Sequence, residues 1–174
     1  MPDTTPAEWE AARDDFVAQW GALGSHWGIN RTMAQIHALL MTAPEPMYTD
    51  EIMEKLQISR GNANTNLREL VGWGLIQIIH RKGERKEFFQ AEKDVWKMVI
   101  TIAKERKRRE IMPALEVLKS CAERTKAESK GPGREFHQQM RELQEFVEFG
   151  IKVSDTISSM KHASALQWAM KLLG

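Results

Sequence analysis

One stretch of this sequence breaks an otherwise helical pattern, and it does most to limit the fold. Leu75-Ile76-Gln77-Ile78-Ile79-His80 and Glu87-Phe88-Phe89-Gln90 are two β-prone runs, separated by the charged, glycine-bearing segment Arg81-Lys82-Gly83-Glu84-Arg85-Lys86. Such a pair of runs around a polar turn predicts a β-hairpin. The segments on both sides carry the helical period of about 3.6 residues. The fold class that follows is mainly α with one small β-hairpin.

The helices just ahead of the hairpin are short and closely spaced. Thr49 reads as a helix cap, with Asp50 and Glu51 at the positive end of the dipole and Ile52 and Leu56 facing inward. This helix is expected to stop near Gln57. Ser59 caps the next, whose buried face is Ala63, Leu67 and Leu70, and which fails at Gly72 and Gly74. Short helix, tight turn, second helix and hairpin, from about Thr49 to Gln90, is the winged helix-turn-helix layout.

The second of these helices carries chemistry on its other face. Beside Ser59, it presents Arg60, Asn62, Asn64, Thr65 and Arg68. Arginine can bond guanine bidentately, asparagine can do so with adenine, and threonine can meet a thymine methyl or a phosphate. Gly61 allows close approach of backbone to a phosphate, and Glu69 is the one acidic intruder. Arg81, Lys82, Arg85 and Lys86 at the hairpin tip would lie along phosphates or enter a minor groove. Double-stranded DNA is the partner this pattern suggests. Caps, a solvated polar face and an ordinary exposed turn would use the same residue types.

The flanks read as helices. Thr5-Pro6-Ala7-Glu8 is a capping box, and Trp9, Phe16, Trp20 and Trp27 form an apolar stripe that Gly21, Gly24 and Gly28 weaken at its far end. A second helix, about 29 to 42, turns Met33, Ile36, Leu39 and Leu40 inward and is stopped by Ala43-Pro44-Glu45-Pro46. After the hairpin, Val95, Val99, Ile102 and Ala103 make a stripe that runs into Lys104-Glu105-Arg106-Lys107-Arg108-Arg109-Glu110. That charged run could face a duplex, but a solvated helix face explains it better. Pro113 should kink or restart the helix, which Leu115, Leu118 and Ala122 carry to about Lys126. Ser129-Lys130-Gly131-Pro132-Gly133 reads as a linker.

A last helix is expected from about Arg134 to Leu173. Its stripe is Phe136, Met140, Leu143, Val147, Gly150, Ser154 and Ile157, widened by Phe146, Phe149, Ile151, Val153 and Met160. The organisation expected is therefore an N-terminal pairing helix over 1–28, a winged helix-turn-helix over 29–92 and a helical pairing region over 93–174. The terminal stripes offer more apolar surface than a winged unit can cover, so a second protomer is one economical cover and an intramolecular helix pair the other.

Charge and inventory narrow the function. The 174 residues hold 25 Lys and Arg against 24 Asp and Glu, a net charge of +1. That average hides a gradient: residues 1–50 are at −5, 51–113 at +5 and 114–174 at +1. A basic block within neutral or acidic flanks suits a nucleic-acid-binding module. The single Cys121 excludes an internal disulfide, fits a reducing compartment and has no evident histidine partner, so a redox role is not favoured. His26, His37, His80, His137 and His162 are scattered without metal-ligand spacing, and no phosphate-cradling glycine loop is present. Neither an enzyme nor a cofactor is expected. No apolar run reaches the ~20 residues of a membrane span, and Met1-Pro2-Asp3-Thr4-Thr5 has no signal-peptide character. A cytoplasmic location is expected, with no membrane partner.

Ile58-Ser59-Arg60-Gly61-Asn62, Asn66-Leu67-Arg68-Glu69-Leu70 and Trp73-Gly74-Leu75-Ile76, with Trp27-Gly28 ahead of them, carry a resemblance. From about Trp9 to Cys121 the chain resembles the MarR superfamily of bacterial transcriptional regulators, and in particular its GbsR-type branch. The resemblance implies an obligate homodimer built on helices from both chain ends, reading a pseudo-palindromic operator and acting as a repressor. Two recognition helices would then meet half-sites roughly 34–36 Å apart. It also implies a small effector, choline or a similar quaternary ammonium, which would need an aromatic cage. Trp9, Trp20, Trp27 and Trp96 are the candidates, although aromatics at helical spacing also serve as core. Asn66 departs from the superfamily pattern, falling on the inward arc where an apolar residue is usual, and is expected to tie its helix to a neighbouring element. The alternative to all of this is a winged helix that binds another protein rather than DNA.

Overall fold

The structure is a computed structural model, and it describes residues 6–160. In chain order the elements are α1 (Pro6–His26), α2 (Arg31–Thr42), β1 (Met47–Tyr48), α3 (Thr49–Leu56), α4 (Arg60–Trp73), β2 (Ile76–His80), β3 (Glu87–Ala91), α5 (Val95–Arg106), a π-helical turn (Lys107–Ile111), α6 (Met112–Arg124) and α7 (Gly131–Ser159). The chain divides into two compact units, Met1–Thr101 and Ile102–Gly174.

The first unit has a winged helix-turn-helix fold. α2, α3 and α4 pack around Ile36, Leu40, Ile52, Ala63, Leu67 and Leu70, which are almost wholly buried. Met33 and Leu39 join them, so the inward face expected for α2 is the one used. Asn30 Oδ1 caps α2 by accepting from the Met33 N–H at 3.1 Å. The cap of α3 is Tyr48, one residue before the Thr49 the sequence suggested, and Glu51 Oε2 accepts the Tyr48 N–H at 2.9 Å. The helix closes on Gln57, a non-glycine residue at φ 52°.

Strands β2 and β3 form the expected hairpin, with Ile78 opposite Phe89 and His80 opposite Glu87. The sheet has a third strand that periodicity did not reveal. β1 pairs antiparallel with β3, Met47 opposite Phe89 and Tyr48 opposite Phe88, in the order β1-β3-β2. Phe88 and Phe89 are buried, so β3 ties the wing to the helical core.

Three helical expectations change. In α1 the buried side chain is Val17, whereas Trp9 and Trp27 are exposed and Trp27 lies beyond the helix end. The glycines there have a packing role: a Cβ on Gly24 would stand 2.7 Å from the Ala34 Cβ, and one on Gly21 would collide with Gln35 Cγ. Their absent side chains bring α1 close onto α2, so they fix the junction instead of weakening the helix. In α5, Val95 and Val99 are exposed and Met98 is the buried apolar residue. Thr5 of the expected capping box lies outside the described residues.

In the second unit, the end of α5 passes through the π-helical turn into α6, with Pro113 in the first turn of α6. Proline has no N–H to lose at that position, so the helix restarts there as expected. Leu115 and Ala122 are its buried apolar residues. The Gly131-Pro132-Gly133 segment is the first turn of α7 and not a linker, with Gly131 at φ 63°. α7 packs on α6, and His137 Nδ1 lies 2.9 Å from the Ala122 carbonyl oxygen. No described residue of α7 is fully buried. The expected extension of this helix from 161 to Leu173 lies outside the described residues.

Candidate nucleic-acid interface

The interface is built on α4. Ser59 Oγ accepts the Asn62 N–H at 3.3 Å, which starts the helix at Arg60, and Gly74 ends it at φ 74°. With Ala63, Leu67 and Leu70 buried, the helical period places Arg60, Asn64, Thr65 and Arg68 on the exposed side. Asn62 is also exposed but has a structural task. Its Nδ2 donates to Thr32 Oγ1 of α2 at 3.3 Å.

Asn66 is buried and solves its amide locally. Its Nδ2 donates to the Asn62 carbonyl oxygen at 2.8 Å and to Asn62 Oδ1 at 2.7 Å. The expectation that Asn66 binds a neighbouring element directly is therefore corrected: it bonds its own helix, and Asn62 passes the connection on to α2. A buried amide needs such partners.

The hairpin places its basic tip beside α3 and α4 in the same unit. Arg81, Lys82, Arg85 and Lys86 are all exposed in the loop between β2 and β3. Two of these cations rest on aromatic rings: Arg81 Cζ lies 4.2 Å from the Phe88 centroid and Lys86 Nζ 3.9 Å from that of Tyr48. Tyr48 and Phe88 themselves meet edge to face at 5.8 Å. This aromatic support under the wing was not foreseen, because it depends on β1, a strand too short to show a period.

The arginines of this face have carboxylate neighbours. Arg60 Nη2 lies 2.5 Å from Asp50 Oδ1, Arg68 Nη2 3.7 Å from Glu87 Oε2, and Arg81 Nη2 3.8 Å from Glu45 Oε2. Between the start of α3, the outer face of α4 and the wing lies an open hollow of about 390 Å³.

The second basic run is differently placed. Glu105 accepts from Arg108 at 2.5 Å and from Arg109 at 2.7 Å, and these bonds, led by that from Arg108, hold its carboxyl at about 2 against partial burial. Arg106 pairs with Glu110 at 3.2 Å, and Lys107 with Asp155. The run from Lys104 to Arg109 is largely committed to ion pairs within its own unit.

Two of the four candidate cage tryptophans are far apart within the chain. Trp9 and Trp20 both lie on α1, eleven residues apart, which is about 16 Å along a helix axis. A cation held by rings needs them within about 6 Å. Arg13 already covers Trp9 at 5.1 Å, and Trp20 stacks on Phe16 at 5.4 Å. Trp96 is half-buried at the start of α5. Among the described residues, no group of three or more His, Cys, Asp or Glu is placed to hold a metal, and no helix is long and apolar enough to cross a membrane.

No family model matches the chain. It is 30% identical over 88 residues to the HTH-type transcriptional repressor GbsR of Bacillus subtilis (strain 168), covering 51% of this chain and 48% of that protein. It is 23% identical over 93 residues to YvaV of the same organism, a protein named as an HTH-type transcriptional regulator, covering 53% and 52%. The chain thus spans about half the length of the curated relatives it matches. A crystal structure described as that of a transcriptional regulator superposes with a TM-score of 0.66 at 18% identity, over 84% of this chain and 95% of the other. That likeness establishes the fold.

Proposed function

We propose that the chain is a sequence-specific double-stranded-DNA-binding transcriptional regulator, not an enzyme, working as a homodimer in the cytoplasm. The observation that carries the reading is the outward set Arg60, Asn64, Thr65 and Arg68 on the second helix of a helix-turn-helix, with the basic tip of the wing in the same unit. α4 would enter the major groove, and Arg81, Lys82, Arg85 and Lys86 would follow phosphates. Ser59 and Asn62 contribute by fixing the start of α4, so their effect on DNA is through its orientation. Repression is the outcome we favour, because the 30%-identical relative is named as a repressor. The homodimer draws its support from the apolar residues that the second unit exposes, Phe136, Leu143, Phe146 and Phe149. A second protomer would bring a second α4 and would read a pseudo-palindrome.

A gel-shift series with the DNA upstream of the chain's own gene tests this. Log affinity should fall with log salt by ~0.9 for each phosphate contacted. Arg60→Ala and Arg68→Ala should each weaken specific binding by about tenfold or more, from the lost base contacts. Binding without salt dependence, indifferent to both substitutions, would instead support the protein–protein module. A choline-type effector would need a ring face open to it, yet Trp9 gives its face to Arg13 and Trp20 packs on Phe16. Calorimetric titration with choline and betaine decides the point: no heat removes the effector from the reading.

A further inference from the structure

The DNA face carries its own counter-charge. Three of its arginines meet a carboxylate from another element: Arg60 with Asp50 of α3, Arg68 with Glu87 of β3, and Arg81 with Glu45 of the turn before β1. All six side chains are at least two-fifths exposed, so the pairs contribute little to stability. Their geometry separates two roles. A carboxylate that positions an arginine must hydrogen-bond it, and 3.7 and 3.8 Å are too long for that. Two of the three carboxylates therefore act through charge alone, and only Asp50 also bonds its partner.

Two of these pairs line the same hollow as Arg85 and Lys86. A phosphate entering it would meet four cations and two carboxylates. Both carboxylates lower the attraction, and Asp50 also holds a donor the phosphate would use. An arbitrary duplex must displace them for backbone contacts alone, whereas a fitted duplex adds base contacts that offset the loss. Non-specific binding consists almost wholly of the phosphate component.

From this we infer that Asp50, Glu87 and Glu45 form an electrostatic guard, which suppresses binding to arbitrary DNA and so widens the gap between operator and random sequence. The inference rests on the DNA-binding reading. It makes the three carboxylates specificity determinants, although none of them reads a base.

The test uses the full chain and a mixed-sequence duplex, followed by fluorescence anisotropy over a salt series. The triple variant Asp50→Asn, Glu87→Gln, Glu45→Gln should bind that duplex about tenfold tighter or more than the parent. Its log–log salt slope should steepen by up to ~0.9 for each arginine that gains a phosphate. Glu54→Gln removes a carboxylate from α3 that lies outside these three pairs; it should change affinity by less than about twofold, since distant exposed charges are screened. In an Arg60→Ala background, Asp50→Asn should lose its effect, since the cycle isolates the pair. If the triple variant binds no tighter than Glu54→Gln, the guard is wrong and the DNA reading survives. If parent and triple variant alike show no salt-dependent binding, the DNA reading falls and the guard falls with it.

Discussion

The two units of this chain bury their apolar residues very differently. In the first, α2, α3, α4 and the small sheet enclose a continuous set from Ile36 to Phe89 at exposures near zero. In the second, α6 and α7 bury Leu115 and Ala122 while leaving Val117, Phe136, Leu143, Phe146 and Phe149 exposed. A unit with a closed core has a shape fixed by its own sequence. A helix pair with rings facing water has not covered its apolar surface, and patches of that kind mark interaction sites. Under the proposed function the contrast is a division of labour: the winged unit would hold a rigid reading head, and the helical unit would offer a surface for pairing.

The sharpest way to break this contrast is to cut into the closed core. Leu67 is 1% exposed beneath the outward residues of α4, and Leu67→Ala should lower the stability of the winged unit by roughly 2–5 kcal/mol, from lost transfer free energy and the cavity left behind. Urea unfolding followed by circular dichroism measures it. A loss below about 1 kcal/mol would mean that this core is not the closed one described.

Acid should separate the units next. His37 is 3% exposed, its Nε2 has no hydrogen-bond partner, and burial pushes its pKa down to about 4. The unfolded chain takes up that proton near pH 6.5, before the folded chain does. The winged unit is therefore most stable above about 6.5 and loses stability as pH falls towards 4. Between about pH 7 and about pH 5 the loss should be roughly 2 kcal/mol. Glu105 in the second unit acts in the same direction but in a lower pH window, since its carboxyl is held at about 2. Its contribution is intact above the usual carboxylate range, fades as pH falls below that range and is gone once pH has fallen through about 2. His37→Leu should flatten the first decline; if the decline persists unchanged, another group is responsible.

Legibility in the sequence followed the same division. The winged fold could be read because its signals are local: Ser59 as a cap, Ala63, Leu67 and Leu70 at helical spacing, and a glycine in the charged turn. β1 was not readable, because two residues show no period and Met47-Tyr48 become a strand only through pairing with Phe88 and Phe89. The stripes of α1 and α5 were misjudged for a related reason. Trp9, Trp27, Val95 and Val99 are apolar at helical spacing, but burial depends on which neighbour arrives. Gly21 and Gly24 decided that for α1 by admitting α2. At the interface, residue types exposed the outward set on α4, whereas the carboxylate partners stayed hidden because they come from elements distant in sequence. Helix geometry also separates two of the four tryptophans, Trp9 and Trp20, which lie eleven residues apart along α1.

The smallest expected effect bears on the open half of the contrast. Phe146 and Phe149 are 73% and 64% exposed on α7. If the second unit pairs protomers through these rings, each is covered in the dimer and bare in the monomer. Removing one ring then weakens association without loosening the fold of the chain itself. Phe146→Ala should raise the dimer dissociation constant about tenfold, which is about 1.4 kcal/mol, as measured by sedimentation equilibrium over a dilution series. Phe149→Ala should act in the same direction, while the unfolding of the winged unit stays at the parent value. Val99→Ala is the informative comparison, because Val99 is also exposed but belongs to the first unit. Should Val99→Ala dissociate the protein and the two phenylalanine variants not, pairing would belong to the unit with the closed core, and the rings of α7 would need a different partner.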